Sequence, residues 1–261
     1  MPHQSRRRFL TTSALAVSAG GEACFAGGGE AGGGPQYYEW RTFRIGDASQ
    51  QSRVRTYLES AAAPAWKRLG IGPVGVFTEI GDAASLDVHV LLTFASSDDF
   101  LRERTGLETD GDYVRLAKSY LAAAKNDPAF ARIESTLMVA FAAQPQLRAS
   151  RRRPRVLELR TYQSHSESKA RRKIEMFNDG EVPIFRDAGF ETVFFGESLY
   201  GADLPNLQYL LASDDMAANT SSWTAFIEHP DWKAMKDLPK YADTVSHIDK
   251  VFLRPTDFSD V

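Results

Sequence analysis

Two short runs hold the side chains of this chain best suited to chemistry: Glu39-Trp40-Arg41-Thr42-Phe43 and, 119 residues later, Glu158-Leu159-Arg160-Thr161-Tyr162. A carboxylate and a guanidinium two residues apart on a strand share a face and can form a direct ion pair. The planar fork of arginine can equally take a carboxylate or another oxyanion. The chemistry on offer is anion recognition, with a glutamate as a possible base. The histidines offer less. Beyond residue 26 they are His89, His165, His229 and His247, and no two stand three or four apart as a helical metal site requires, so no metal is expected. His89 falls in an expected strand, where it could be a base, a haem ligand or a satisfied structural histidine. His229 is expected to organise a helix start at Pro230-Asp231, where proline suits the first turn. Ser166 to Lys169 matches Ser-x-x-Lys without any partner, and the glycine run near residue 30 reads as linker, so no nucleotide cofactor is implied.

The elements that must carry these residues come in two copies. The same offset takes Pro64 to Pro183, Trp66 to Phe185, Gly70 to Gly189 and Asp112 to Asp231. A period of 119 is domain-sized rather than solenoid-sized and indicates a tandem duplication. Alternation predicts a strand over 36–45. Val54, Tyr57, Leu58 and Ala61 then mark a helix that Pro64 should kink or divide and Gly70 should stop. A hairpin over 74–80 and 88–95, a helical region from 96 to about 125 and a strand over 137–142 complete the unit. The second copy predicts strands at 155–163, 192–200, 207–212 and 248–254, with helices over 168–188 and 214–241, broken at Pro230. Strand-helix-strand-strand-helix-strand is the ferredoxin-like plan, so the fold class is α+β, with two tandem βαββαβ domains. Helices on one face leave the other face of each sheet bare, and the two bare faces can cover each other in a closed or nearly closed α+β barrel, an intrachain pseudo-dimer.

The ends and the charge set the context. Ser5-Arg6-Arg7-Arg8-Phe9-Leu10, followed by a weakly apolar stretch, resembles a twin-arginine export signal. It implies passage through the twin-arginine translocase to the periplasm; a basic tail is the plainer alternative. Cleavage after Ala26 would remove the only cysteine, leaving neither disulfide nor thiol nucleophile. Lipid anchoring through Cys24 is the weaker option, because Gly21-Glu22-Ala23 lacks an aliphatic residue and carries a charge. Loss of residues 1–26 takes away three arginines and one glutamate, moving the net charge from -3 to -5. Such a chain is not expected to bind nucleic acid, and the basic run from Arg148 to Arg155 reads as a solvated linker. The expected organisation is a signal at 1–26, a Gly-rich linker at 27–35, domain 1 at 36–145, a basic linker at 146–154 and domain 2 at 155–257.

Over residues 36–261 the sequence resembles the NIPSNAP family of the dimeric α+β barrel superfamily. The resemblance rests on the paired Glu-x-Arg-Thr-aromatic strands and on Pro183-Ile184-Phe185 leading to Gly189-Phe190. It also rests on His229-Pro230-Asp231-Trp232 and on the closing run from Ile248 to Pro255. The first half departs from it, with Gly111-Asp112-Tyr113 in place of His-Pro-Asp-Trp. The resemblance implies the fold and almost no chemistry. Family members have been connected with vesicle traffic and mitochondrial quality control in animals, and superfamily relatives include haem-dependent and cofactor-free monooxygenases.

Alternation puts Tyr37, Glu39, Arg41 and Phe43 on one face of the first strand, and Val156, Glu158, Arg160 and Tyr162 on one face of its copy. With the more apolar Leu157 and Leu159 assigned to the helices, both Glu/Arg pairs are expected in one cavity between the sheets. Phe43, Tyr162 and Phe195 would wall it. That cavity would bind a small, partly apolar anion; the competing reading is that the pairs are structural. The function expected is a small-molecule-binding or interaction module. The alternatives are a monooxygenase-like or isomerase-like enzyme using His89, Glu39 or Glu158 as base, with haem as an outside option, and a structural periplasmic component. Self-association through remaining sheet edges or helix faces is also expected.

Overall fold

The computed structural model describes residues 34–150 and 155–261. The export signal, the Cys24 anchor, residues 27–33 of the Gly-rich linker and residues 151–154 of the basic linker lie outside them. The first half runs β1 (Tyr37–Arg44), α1 (Ala48–Tyr57), α2 (Ala63–Arg68), β2 (Gly75–Glu79), β3 (Val88–Phe94), α3 (Ser97–Thr109), α4 (Gly111–Leu116), α5 (Lys118–Leu121) and β4 (Arg132–Ala140). The second runs β5 (Val156–Gln163), α6 (Glu167–Met176), α7 (Val182–Asp187), β6 (Glu191–Tyr200), β7 (Asn206–Ser213), α8 (Met216–Glu228), α9 (Pro230–Lys236) and β8 (His247–Pro255).

Helix starts follow the duplication. Asp47 and its counterpart Ser166 cap α1 and α6, and Ser96 and its counterpart Asp215 cap α3 and α8, each accepting from a backbone N–H three residues on. Aspartate and serine have exchanged places, but each supplies the oxygen an N-cap needs. His229 behaves as expected, its Nδ1 accepting from the Asp231 amide at the start of α9. Pro64 does not divide its helix, whereas the second-half helix is kinked at Gly180, which leaves helical geometry three residues before Pro183. A π-helical turn, Leu58–Ala62 or Phe177–Glu181, widens the coil just before each proline, which then sits in the first turn of the next segment where its missing N–H costs nothing. Strand β4 begins earlier than the apolar pattern suggests, because pairing with β1 from Arg44↔Arg132 onward carries the polar Arg132, Glu134 and Ser135 into the sheet.

The eight strands close into one barrel in the order β1-β3-β2-β8-β5-β7-β6-β4. Each half contributes four consecutive strands, and β2–β8 and β4–β6 join them. Closure leaves no strand edge among the described residues for self-association, which corrects that part of the expectation. No helix of the described residues is long and apolar enough to cross a membrane.

The barrel corrects the assignment of faces. Tyr38, Trp40, Leu157 and Leu159 point inward and pack with Phe77, Leu91, Met138, Phe194 and Leu253. Phe43 packs outward with Val54, Leu58 and Trp66 of the first helix layer, and Tyr162 and Phe195 with Phe177, Phe185 and Phe226 of the second. The Glu/Arg face is therefore the helix-covered one. The interior is sealed on every side by strands, so it takes the most apolar set. The outer face meets helices that bring polar partners with them.

Candidate functional site

The two Glu/Arg pairs lie in two separate places, one beneath each helix layer, and not together. In the first half Arg41 Nε and Nη2 donate to the two carboxylate oxygens of Glu39 at 2.9 and 2.8 Å. Glu39 Oε1 also accepts from Ser135 at 2.7 Å. A second carboxylate, Glu103, stands 3.6 Å from Arg41 Nη2 and accepts the Trp66 indole N–H at 2.6 Å. Burial opposes the Arg41 charge, but the charge and hydrogen bonds of Glu39 outweigh it and hold the guanidinium firmly protonated. Arg41, Phe43, Tyr57, Tyr120, Phe130 and Ile133 are among the residues around a cavity of about 770 Å³.

In the second half Arg160 donates through Nε to Glu158 Oε1 at 2.7 Å, and only a long 3.4 Å contact joins Nη1 to the Tyr162 hydroxyl. The other oxygen of Glu158 is filled from α8, by Asn219 Nδ2 at 3.0 Å and Trp223 Nε1 at 2.7 Å. The guanidinium lies 3.7 Å from the centre of the Trp223 ring, within the range of a cation–π contact. Tyr209, with its hydroxyl pushed well above its usual range by burial, donates to Tyr162 at 2.8 Å. Arg160, Tyr162, Lys173, Glu181, Trp223 and Trp232 are among the residues around a cavity of about 470 Å³. Phe195 lines neither cavity; it is fully buried between Phe177, Phe185 and Tyr209.

His89 faces the barrel interior, at one polar mouth, away from both Glu/Arg pairs. Its Nδ1 pairs with Thr42 Oγ1 and its Nε2 with Glu79 Oε1, each at 3.0 Å. The hydrogen bond from His89 pulls the Glu79 carboxyl down to about 2. The space beside it is about 200 Å³, too small for a porphyrin, and both ring nitrogens are already engaged. The residues present do not fit haem ligation by His89. No group of three or more metal-ligating side chains occurs among the described residues.

Sequence reasoning missed Lys173, Glu181, Asn219, Tyr209, Trp223 and Trp232. The duplication held a signal for two of them. Lys173 and Glu181 occupy the positions of Val54 and Ala62, so a charge replaces a buried apolar residue twice on one matched helical segment.

Eight strands closed from two βαββαβ halves, with every helix outside, make this a dimeric α+β barrel within a single chain. Residues 157–260, within the second half, match the NIPSNAP family. The fold is shared with a putative monooxygenase from Fusobacterium nucleatum (TM-score 0.56, 10% identity, 85% of this chain and 93% of that one). A putative monooxygenase from Lactobacillus acidophilus is equally similar (TM-score 0.56, 11% identity, 85% and 94% covered). So, more distantly, is a mutant chlorite dismutase from Candidatus Nitrospira defluvii (TM-score 0.50, 9% identity, 86% and 93% covered). No curated protein matches the chain.

Proposed function

We propose that the protein is a small-molecule-binding module that takes a partly apolar carboxylate beneath the helices of its second half. The observation that supports this reading is the state of Arg160. Only Nε is committed to Glu158, the guanidinium carbon lies 3.7 Å from the centre of the Trp223 ring, and the same arginine borders a cavity walled by Tyr162, Trp223, Phe226 and Trp232. A cation fixed in orientation by a carboxylate and a ring, with nitrogens left for a ligand, suits an anion attached to an apolar body. Arg41 is less available, because Glu39 chelates it twice and Glu103 adds a further negative charge.

An oxidative or isomerising role in the style of the structurally similar monooxygenases has less support: of its expected bases, His89 lies away from both pockets, and the oxygens of Glu39 and Glu158 are taken up by an arginine and further donors. Export by the twin-arginine route remains a proposal resting on Ser5 to Leu10. Changing Arg6, Arg7 and Arg8 together to lysine should retain the protein in the cytoplasm if it is right.

Calorimetric titration with phenylacetate and with its neutral amide tests the binding reading. The acid should bind and the amide should not, and Arg160→Gln should weaken the acid by about 10- to 100-fold, the worth of one charged hydrogen bond. Equal binding of acid and amide, or a folded Arg160→Gln protein with unchanged affinity, would sink it.

A further inference from the structure

Lys173 occupies a place that the first half fills with a buried apolar residue. Its side chain is 5% exposed on α6, and its Nζ lies 2.8 Å from an oxygen of Glu181, whose side chain is 2% exposed. Three rings surround the ammonium, with centres 4.7 Å (Phe177), 5.5 Å (Trp232) and 5.6 Å (Tyr162) away. The matching residues of the first half, Val54 and Ala62, are fully buried and apolar, so the same helix packs there without any charge. Lys173 and Glu181 border the same cavity as Arg160. Tyr162 links the two ends of that cavity: its hydroxyl contacts Arg160 and its ring lies beside Lys173 Nζ. Burial drives the Glu181 carboxyl toward its neutral form against the pull of Lys173. A desolvated lysine next to a carboxyl that can hold its proton is the usual arrangement for an amine nucleophile.

We infer that Lys173 forms a reversible imine with an oxo acid whose carboxylate rests on Arg160, a step that depends on the carboxylate reading above. Nζ attacks the carbonyl carbon and a C–N bond forms. Glu181 relays the two amine protons to the carbonyl oxygen, which leaves as water, so that C=N replaces C=O with no change in oxidation state. The substrate class is an oxo acid with an aromatic or branched apolar body, matched to the rings that wall the cavity.

Phenylpyruvate with sodium cyanoborohydride tests this on the whole protein, read by intact mass and peptide mapping, with phenylacetate as a ligand that binds but cannot condense. The expected result is one reduced adduct per chain on Lys173, suppressed by excess phenylacetate and missing from a folded Lys173→Arg variant. Phenylacetate binding without an adduct, or adducts spread over exposed lysines such as Lys233 and Lys240, would overturn the imine and leave the carboxylate reading standing. Failure of phenylacetate to bind would remove both. Should Lys173→Arg fail to fold, the peptide map of the wild type decides alone.

Discussion

The two halves keep the same strand pair and surround it differently. In the first, Glu39 spends both oxygens on Arg41 and takes one further donor from a strand, Ser135. In the second, Glu158 gives one oxygen to Arg160 and the other to two donors on α8, Asn219 and Trp223. Each half places an indole N–H on a carboxylate, but from unrelated positions: Trp66 of α2 onto Glu103, and Trp223 of α8 onto Glu158. Duplication preserved the ion pair that anchors the sheet to its helices, and the helices then diverged above it. One arginine became tightly neutralised and the other was left partly free. A buried charge pair is thus common to both halves, whereas an arginine that gives its carboxylate partner only one nitrogen is specific to the second.

Removing the two glutamates separately sharpens that contrast most. Glu158→Ala orphans three donors in a fully buried place and should cost about 3–5 kcal/mol in chemical denaturation. Glu39→Ala should cost less, about 2–3 kcal/mol, because Glu103 remains near Arg41. Equal losses would mean that the two environments are energetically alike. Next in size is the extra pair of the second half. Lys173→Met alone should destabilise by about 3 kcal/mol, the low end for a broken buried pair, since Glu181 can take up a proton. Adding Glu181→Leu, which makes the segment apolar like the first half, should recover most of that loss. A double variant as unstable as the single would show that the pair holds the π-helical turn together.

Smaller effects follow. Trp223→Leu removes the ring beneath Arg160 and should weaken phenylacetate by about tenfold, consistent with about 1 kcal/mol for a cation–π contact plus lost apolar contact. At the barrel mouth, His89 and its counterpart Gln208 differ, and His89→Gln copies the second half into the first. Glu79, held down to about 2 by His89, stabilises the fold above the ordinary carboxylate value of 4.5 and loses that contribution as pH falls toward 2. His89→Gln should therefore be less stable than wild type at neutral pH, with the gap narrowing as pH falls through this window in thermal melts.

Much of the architecture was legible in the chain. The repeated strand and the apolar helix stripes record local physics, and the α+β barrel follows once two half-covered sheets share one chain; the caps at Asp47, Ser96, Ser166 and Asp215 were seen only in the structure. The faces were misjudged for a physical reason. Both faces of β1 and β5 are largely buried, so relative polarity shows only which face has polar partners, and those partners can sit on helices 61 and 65 residues away, as Asn219 and Trp223 do from Glu158. Alternation correctly grouped Glu39 with Arg41 and Glu158 with Arg160, but it could not tell inside from outside, nor that the pairs stand apart. Pro64 was read as a kink or break because a π-helical turn leaves no pattern of its own in the sequence.

The four tryptophans sample the competing locations: Trp40 lies inside the barrel, Trp66 beneath the first helix layer, and Trp223 and Trp232 at the second pocket. Their indole ¹H–¹⁵N signals, followed while phenylacetate is added, test most directly where a ligand binds. Saturable shifts of Trp223 and Trp232, with Trp40 and Trp66 unmoved, are expected. A shift of Trp40 with the other three unchanged would return the site to the barrel interior and contradict the account.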